Sequence, residues 1–441
     1  MHTSPRSDKH YFLQSKERMN LSLLDPFAVA KEYPESLTQS LAYGHSVVIQ
    51  FSHKGDYLAL GLADGSIVIY DLVCNGGIIT HLYRNGHLRP ITSLSWSRCG
   101  RYLLSTSQDW TIKLWDLSMV NQGDDIDPVI RTVTFDGPVW SAVLHPKNPF
   151  LFVASLFEDS AAVVDMTDDI KISRLSAHPK GQEDSKDKHL TLTSVFTPDE
   201  EGSYIFAGTS KGWINIFDLS TLNKVHSVKV ANANIKNVVI SPNGRKLAVN
   251  ASDRIIRQIN LSDFINTAPE EWEFEVEHKY QDVVNRLQWN TVAFNHNGDF
   301  LCASTFGQLS QDLYVWETSL GSLIKILEGS SEELVDLKWN YPRCIIGSTG
   351  LDSGTIYLWL VPFPQKWSAL APDFVEIEEN IEYEEKEDEF DIIDDDLLNK
   401  KRLQEEDLQV DVLLKELVDA RGFTIQEAFV IPVDYRRKYG A

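Results

Sequence analysis

The chain has 441 residues, 43% of them hydrophobic, and a formal net charge of −23. That apolar content is ample for a packed core, and the acidic balance excludes bulk affinity for nucleic acid or anionic membrane. The charge is unevenly spread: from Asp373 to Asp411 eighteen acidic residues stand against four basic ones, so −14 lies in that stretch and −9 in the remainder.

In chain order, residues 1–20 are polar and charged, lack the apolar centre of a signal peptide and are expected to be disordered. No apolar run is long enough to span a membrane. Apolar positions follow at Leu21, Leu23, Leu24, Phe27 and Val29, and part of Leu37–Tyr43 is a candidate outer strand.

A repeat then begins. Its landmarks are Tyr70-Asp71, Trp115-Asp116, Val164-Asp165, Phe217-Asp218, Ile259-Asn260, Trp316-Glu317 and Trp359-Leu360, spaced by 45, 49, 53, 42, 57 and 43 residues. A period of roughly 40–45 residues with a Trp-Asp pair points to four-stranded propeller blades. The longer spacings are assigned to loops at Ala177–Lys188 and Asn266–Val283. Ile67–Tyr70 and Ile112–Trp115 are β-branched and aromatic, and turn pairs such as Asp64-Gly65 and Lys211-Gly212 precede the third strands. Gly55, Gly100, Gly244 and Gly298 mark a second recurring turn that needs positive φ. The fold class is therefore all-β: a seven-bladed WD-repeat β-propeller over residues 21–364, with a mostly extended acidic C-terminal tail from Gln365.

Blade 2 alone carries His87, Ser105, Asp109 and Trp115 at the spacing of a buried His–Ser–Asp–Trp hydrogen-bond network. Within this repeat the set is structural rather than a catalytic triad. Blade 1 keeps His45 but has Tyr70 in the Trp place. Blade 5 lacks both His and Trp, so such blades are expected to rely more on apolar packing. No nucleophile elbow, P-loop or dinucleotide fingerprint occurs. The twelve histidines show no metal-ligand spacing, so neither a catalytic residue nor a metal site is expected. Cys74, Cys99, Cys302 and Cys344 are scattered and read as buried thiols of a reducing compartment.

The tail is not an inert solubiliser, because Trp367, Phe374, Val375, Ile377, Ile381, Tyr383, Phe390, Ile392 and Ile393 interrupt the acids. It reads as a binding segment that orders on contact. Leu408, Val412, Leu413 and Leu417 approximate one helical face, while Val410-Asp411-Val412 also suits an extended peptide in a groove; periodicity leaves both readings open. Arg436-Arg437-Lys438 and Lys400-Lys401-Arg402 are short basic clusters of the kind used in nuclear import.

The stretch WSALAPDFVEIEENIEYEEKEDEFDIIDDD, Trp367 to Asp396, resembles the segment after the propeller in the retinoblastoma-binding protein five family, whose fungal members are the propeller subunit of COMPASS. NLSLLDPF, ADGSIVIYDL, SLSWSRCGRYLLSTSQD, ASDRIIR, DVVNRLQW and YVWETSLGSLIKILEG extend the resemblance through the propeller. It implies a non-catalytic scaffold of a nuclear histone H3 lysine-four methyltransferase complex. Such a scaffold has no cofactor of its own; S-adenosylmethionine is expected on a SET-domain partner. The resemblance assigns residues 365–396 to activation and to a SPRY-domain subunit, and residues 397–441 to a partner-binding tail.

Within Ala371–Glu385, the activating residues would be Phe374, Val375, Ile377, Ile381, Tyr383, Glu384 and Glu385. Glu389, Phe390, Asp391 and Ile392 would bind the SPRY subunit, and Val410, Asp411 and Val412 a second, smaller propeller subunit. The run Leu413–Leu417 departs from the family pattern. Arg89, Lys211, Arg254 and Arg286 fall in loops of one rim and are candidates for contacts to nucleosomal DNA phosphates. The alternative is a generic WD-repeat adaptor of another nuclear complex, which would have no use for EFDIIDDD at this place.

Overall fold

The structure, a computed structural model, describes residues 33–72, 77–121, 127–179, 189–199, 202–262, 272–282, 284–307, 311–340, 344–361, 399–400 and 429–432. The chain divides into two compact units, Met1–Pro362 with Glu427–Ala441, and Phe363–Gln426. Of the second unit only the helical pair Asn399 and Lys400 is described.

Among the described residues the first unit holds seven four-stranded antiparallel sheets. Blade 1 runs through Ser46–Phe51, Tyr57–Leu62, Ile67–Asp71 and Gly77–Leu82, and blade 2 through Ile91–Trp96, Tyr102–Ser107, Thr111–Asp116 and Val129–Thr134. The inner strands of blades 3 to 7 are Val139–Leu144, Thr191–Phe196, Ile235–Ile240, Gln288–Phe294 and Leu334–Asn340. Each inner strand touches that of the next blade, and Leu334–Asn340 touches Ser46–Phe51, so the ring is closed. The seven landmark residues Asp71, Asp116, Asp165, Asp218, Asn260, Glu317 and Leu360 each end a third strand.

The seventh blade takes its outer strand from the chain start. Ser36–Leu41 pairs antiparallel with Ile356–Leu360, Ser36 opposite Leu360 and Leu41 opposite Ile356. This exchange leaves neither terminus of the ring with an unpaired inner edge. The strand overlaps the stretch Leu37–Tyr43 that the sequence offered for that role, starting one residue before it.

Seven buried clusters hold the ring, and each joins two neighbouring blades. The second strands are covered on both faces, so they read as continuous apolar runs such as Tyr57–Leu62 and Leu151–Leu156. Every inner pairing also carries a register shift near the start of its first strand, at Ser46/Val48, Ile91/Ser93, Val139/Ser141, Thr191/Thr193, Ile235/Asn237, Trp289/Val292 and Leu334/Asp336. An extra residue there raises local twist and re-aims one side chain at the rim. The glycines expected at the turns between first and second strands have φ of 76°, 77°, 72° and 75° at Gly55, Gly100, Gly244 and Gly298.

Three expectations need correction. The span Asn266–Val283 is not simply a loop: Val276–Tyr280 is the outer strand of blade 5, its polar alternation suiting an outer edge with one wet face. The expectation that blades without the full His–Ser–Asp–Trp set rely more on apolar packing left out the polar networks that two of them carry. In blade 5 the buried Tyr280 hydroxyl donates to Gln258 Oε1 at 2.5 Å, and Gln258 Nε2 donates to Glu277 at 2.7 Å. In blade 7 Glu332 accepts from the Tyr357 hydroxyl at 2.9 Å and from the amides of Asp352 and Ser353. Finally, Cys99 is exposed because it sits at a turn tip, whereas Cys302 is buried and its thiol is pushed up by burial.

Candidate functional site

The four residues of the blade 2 network meet. Trp115 Nε1 donates to Ser105 Oγ at 2.8 Å, His87 Nε2 lies 2.7 Å from the same oxygen, and His87 Nδ1 lies 3.0 Å from Asp109 Oδ2. Indole nitrogen only donates and a carboxylate only accepts, so a neutral His87 with its proton on Nδ1 satisfies the chain, the serine proton going to Nε2. Burial alone would raise the Asp109 carboxyl. Hydrogen bonds from His87, Thr111 and the Leu88 amide outweigh that and hold it well below the usual carboxylate range. Ser105 is fully buried beneath its blade, so no substrate reaches its oxygen. Blade 1 builds no counterpart, since His45 is exposed.

Alternation of strand direction sends the loops between second and third strands, and those linking one blade to the next, to the same rim. Arg89, Lys211, Arg254 and Arg286 all lie in such loops, all exposed, and none forms an ion pair among the described residues. Two of them are brought together by the backbone: Trp289 Nε1 donates to the Arg254 carbonyl at 3.1 Å, and Trp289 follows the loop that carries Arg286. Lys211 stands one blade earlier, while Arg89 lies across the ring between blades 1 and 2. Arg254 and Arg286 have φ of 70° and 49°. The position of Arg254 is held by glycine in blades 1 and 4, at Gly65 and Gly212. At Gly212 a Cβ would stand 2.0 Å from the Ala231 carbonyl oxygen. Side chains other than glycine are strained in this region, and Arg254 bears that strain, as Trp110 does at φ of 70° in blade 2.

The proposed partner-binding residues Phe374, Val375, Ile377, Ile381, Tyr383, Glu384, Glu385, Glu389, Phe390, Asp391, Ile392, Val410, Asp411 and Val412 lie outside the described residues. The sequence reading did not foresee what the last described segment does. Phe429–Pro432 packs on blades 1 and 2: Phe429 N donates to the Cys99 carbonyl at 3.0 Å, Asn121 Nδ2 donates to the Pro432 carbonyl at 3.0 Å, and Ile431 is buried with Leu82 and Leu117. Its only signal was the apolar run FVIPV in a polar tail. No group of three or more His, Cys, Asp or Glu able to hold a metal occurs among the described residues.

Closed ring, sevenfold bulge and blade 2 network define a WD-repeat β-propeller. Residues 78–116 match the model of the WD domain, G-beta repeat. The chain is 43% identical over 432 residues to "COMPASS component SWD1" of Saccharomyces cerevisiae, covering 95% of this chain and 98% of that protein. It is 46% identical to "Set1 complex component swd1" of Schizosaccharomyces pombe, over 86% of this chain and 91% of that protein. Against "Retinoblastoma-binding protein 5 homolog" of Drosophila melanogaster the identity is 34%, over 91% and 78%. Among solved structures, the β-propeller domain of Cps50 (Swd1) from Myceliophteria thermophila matches with a TM-score of 0.68 at 41% identity, over 74% of this chain and all of that one. The chain belongs to the Swd1/retinoblastoma-binding protein 5 family.

Proposed function

We propose that this chain is the non-catalytic scaffold and activator subunit of a nuclear Set1/COMPASS-type histone H3 lysine-four methyltransferase complex. The observation that carries the reading is collinearity: identity with a protein named as a COMPASS component extends over 98% of that protein. The propeller acts as the rigid body. Residues 365–396 hold the SET-domain and SPRY-domain subunits, and Val410-Asp411-Val412, in the partner-binding tail of residues 397–441, reach a second propeller subunit. Attachment to one partner raises the effective concentration for the other, and restricting a mobile SET domain to its competent form raises the rate by population shift. S-adenosylmethionine stays on the SET subunit. Arg89, Lys211, Arg254 and Arg286, exposed and without an ion pair among the described residues, in a chain otherwise acidic, favour contact with nucleosomal DNA phosphates.

The test is reconstitution of the methyltransferase with the full chain and with a chain lacking residues 371–385. Methylation should fall sharply without the segment, and an undiminished rate overturns the activator role. Phe390→Ala should weaken SPRY-subunit binding by about 2 kcal/mol or more if it is a buried anchor. Arg254→Glu with Arg286→Glu should lower nucleosome affinity and flatten its salt dependence. Unchanged affinity across salt removes the rim from the DNA contact.

A further inference from the structure

On the same rim, one blade before the one that carries Lys211, blade 3 exposes a pair of stacked aromatic rings. Trp140 is 56% and Phe157 53% exposed. Their centroids are 6.3 Å apart and the planes 26° from parallel. Neither position is accidental. Trp140 is the bulged residue of the inner strand, between Val139 and Ser141. Phe157 follows Leu156, the residue paired with Val139, and its amide donates to the Pro138 carbonyl at 3.0 Å. The intervening loop is tied at its other end by the Phe135 amide, which donates to the carbonyl of the exposed Trp110 at 2.9 Å. Asp136 and Glu158, each in one of these loops, are exposed and form no ion pair among the described residues.

The molecule shows elsewhere what such a phenylalanine accepts. Phe306 occupies in blade 6 the place of Phe157 in blade 3: it follows Thr305, the partner of Trp289, the last paired residue before the bulge. Lys236, the bulged residue of the preceding blade, sits over it with Nζ 4.8 Å from the ring centroid. Between blades 2 and 3 the residue equivalent to Lys236 is Thr92, too short to cover the ring. Its hydroxyl is turned to the Val139 carbonyl at 2.8 Å. The aromatic seat is thus built at both places, but among the described residues only the ring of Phe306 receives a cation from the chain itself.

We propose that Trp140 and Phe157, flanked by Asp136 and Glu158, form a docking site for a lysine or arginine side chain of a basic peptide segment in a partner. The ring faces attract the cation, and Trp is the best such surface. The two carboxylates complement its charge and repel phosphate, so this sector selects basic protein over nucleic acid. The site is independent of the assembly reading above.

The experiment uses the full chain labelled with 5-fluorotryptophan, the Trp140 resonance being assigned by its loss in Trp140→Phe. The probe is the peptide acetyl-Gly-Arg-Gly-Lys-Gly-amide, with a neutral counterpart carrying citrulline and acetyl-lysine. The Trp140 signal should shift saturably with the basic peptide and not with the neutral one. Asp136→Asn with Glu158→Gln, and separately Phe157→Leu, should each weaken binding about five- to tenfold with the thermal midpoint unchanged. No shift at millimolar peptide, an equal shift with the neutral peptide, or undiminished affinity in both variants overturns the proposal. So does a duplex oligonucleotide that shifts Trp140 more strongly than the peptide.

Discussion

Ser105→Ala probes the blade 2 network most directly. Ser105 and Trp115 are 0% exposed, and the serine oxygen is the acceptor for the indole N–H and the partner of His87 Nε2. Alanine fits the space, so no large cavity opens. The loss is that of two buried partners, each costing about 1–3 kcal/mol when left unsatisfied, so the propeller should lose about 2–6 kcal/mol. Trp115→Phe removes the stranded donor and keeps most of the ring. The double variant Ser105→Ala/Trp115→Phe should therefore cost less than the sum of the singles, by about 1–2 kcal/mol. Urea denaturation followed by intrinsic fluorescence gives the midpoints, with slopes checked for constancy. A Ser105→Ala loss below about 0.5 kcal/mol, or strict additivity in the double variant, would show that water supplies the missing bonds and that the network does not hold the blade.

Three further outcomes follow from the same geometry. Asp109 has a depressed folded-state pKa, so its contribution is fully present above the unfolded carboxylate value of about 3.9 and is lost as pH falls toward the folded one. The urea midpoint should drop steeply below about pH 4, and Asp109→Asn should lack that part of the drop; parallel pH profiles refute the assignment. Arg254→Gly should be more stable than Arg254→Ala by about 1 kcal/mol, because glycine relieves the left-handed strain at φ of 70°. Both should lose nucleosome affinity equally, and a glycine variant less stable than the alanine one rejects the strain. Ile431→Ala should weaken docking of Phe429–Pro432 by about 2–4 kcal/mol. Faster exchange of the Phe429 amide with an unchanged propeller midpoint is the expected reading, and unchanged exchange refutes it.

Much of the ring was legible because its signals are local. Third strands end in Trp-Asp-like pairs, and the turn glycines are placed where L residues are strained, so all seven blades were countable from the chain. The closing strand was only narrowed to Leu37–Tyr43, since pairing between Ser36 and Leu360 is a contact across the whole ring that no local pattern encodes. The Gln258–Tyr280 and Glu332–Tyr357 networks were missed for a related reason. They satisfy the same burial problem with different residue types, and a search for His and Trp cannot find them. Val276–Tyr280 was hidden by its polar residues Glu277, His278 and Lys279, which blunt the apolar signal of a strand. Trp140 passed unnoticed because a lone Trp at a strand start reads as core. Only the bulge, which the sequence does not announce, turns it outward.

That bulge is also what lets one frame carry several surfaces. The residue it presents is Thr92 in blade 2, Trp140 in blade 3 and Lys236 in blade 5, on backbones that shift register at the same point. Substitution there is free of the core, because the cost of the frame is borne by the buried second strands and the seven inter-blade clusters. Rim chemistry can therefore differ from blade to blade without altering the ring. One arc carries Lys211, Arg254 and Arg286, proposed above for phosphate; another carries Trp140, Phe157, Asp136 and Glu158, proposed for basic side chains. A nucleoprotein particle offers both groups at once, DNA backbone and cationic peptide, so a single partner can engage both arcs of one rim while each arc discriminates against the other's ligand.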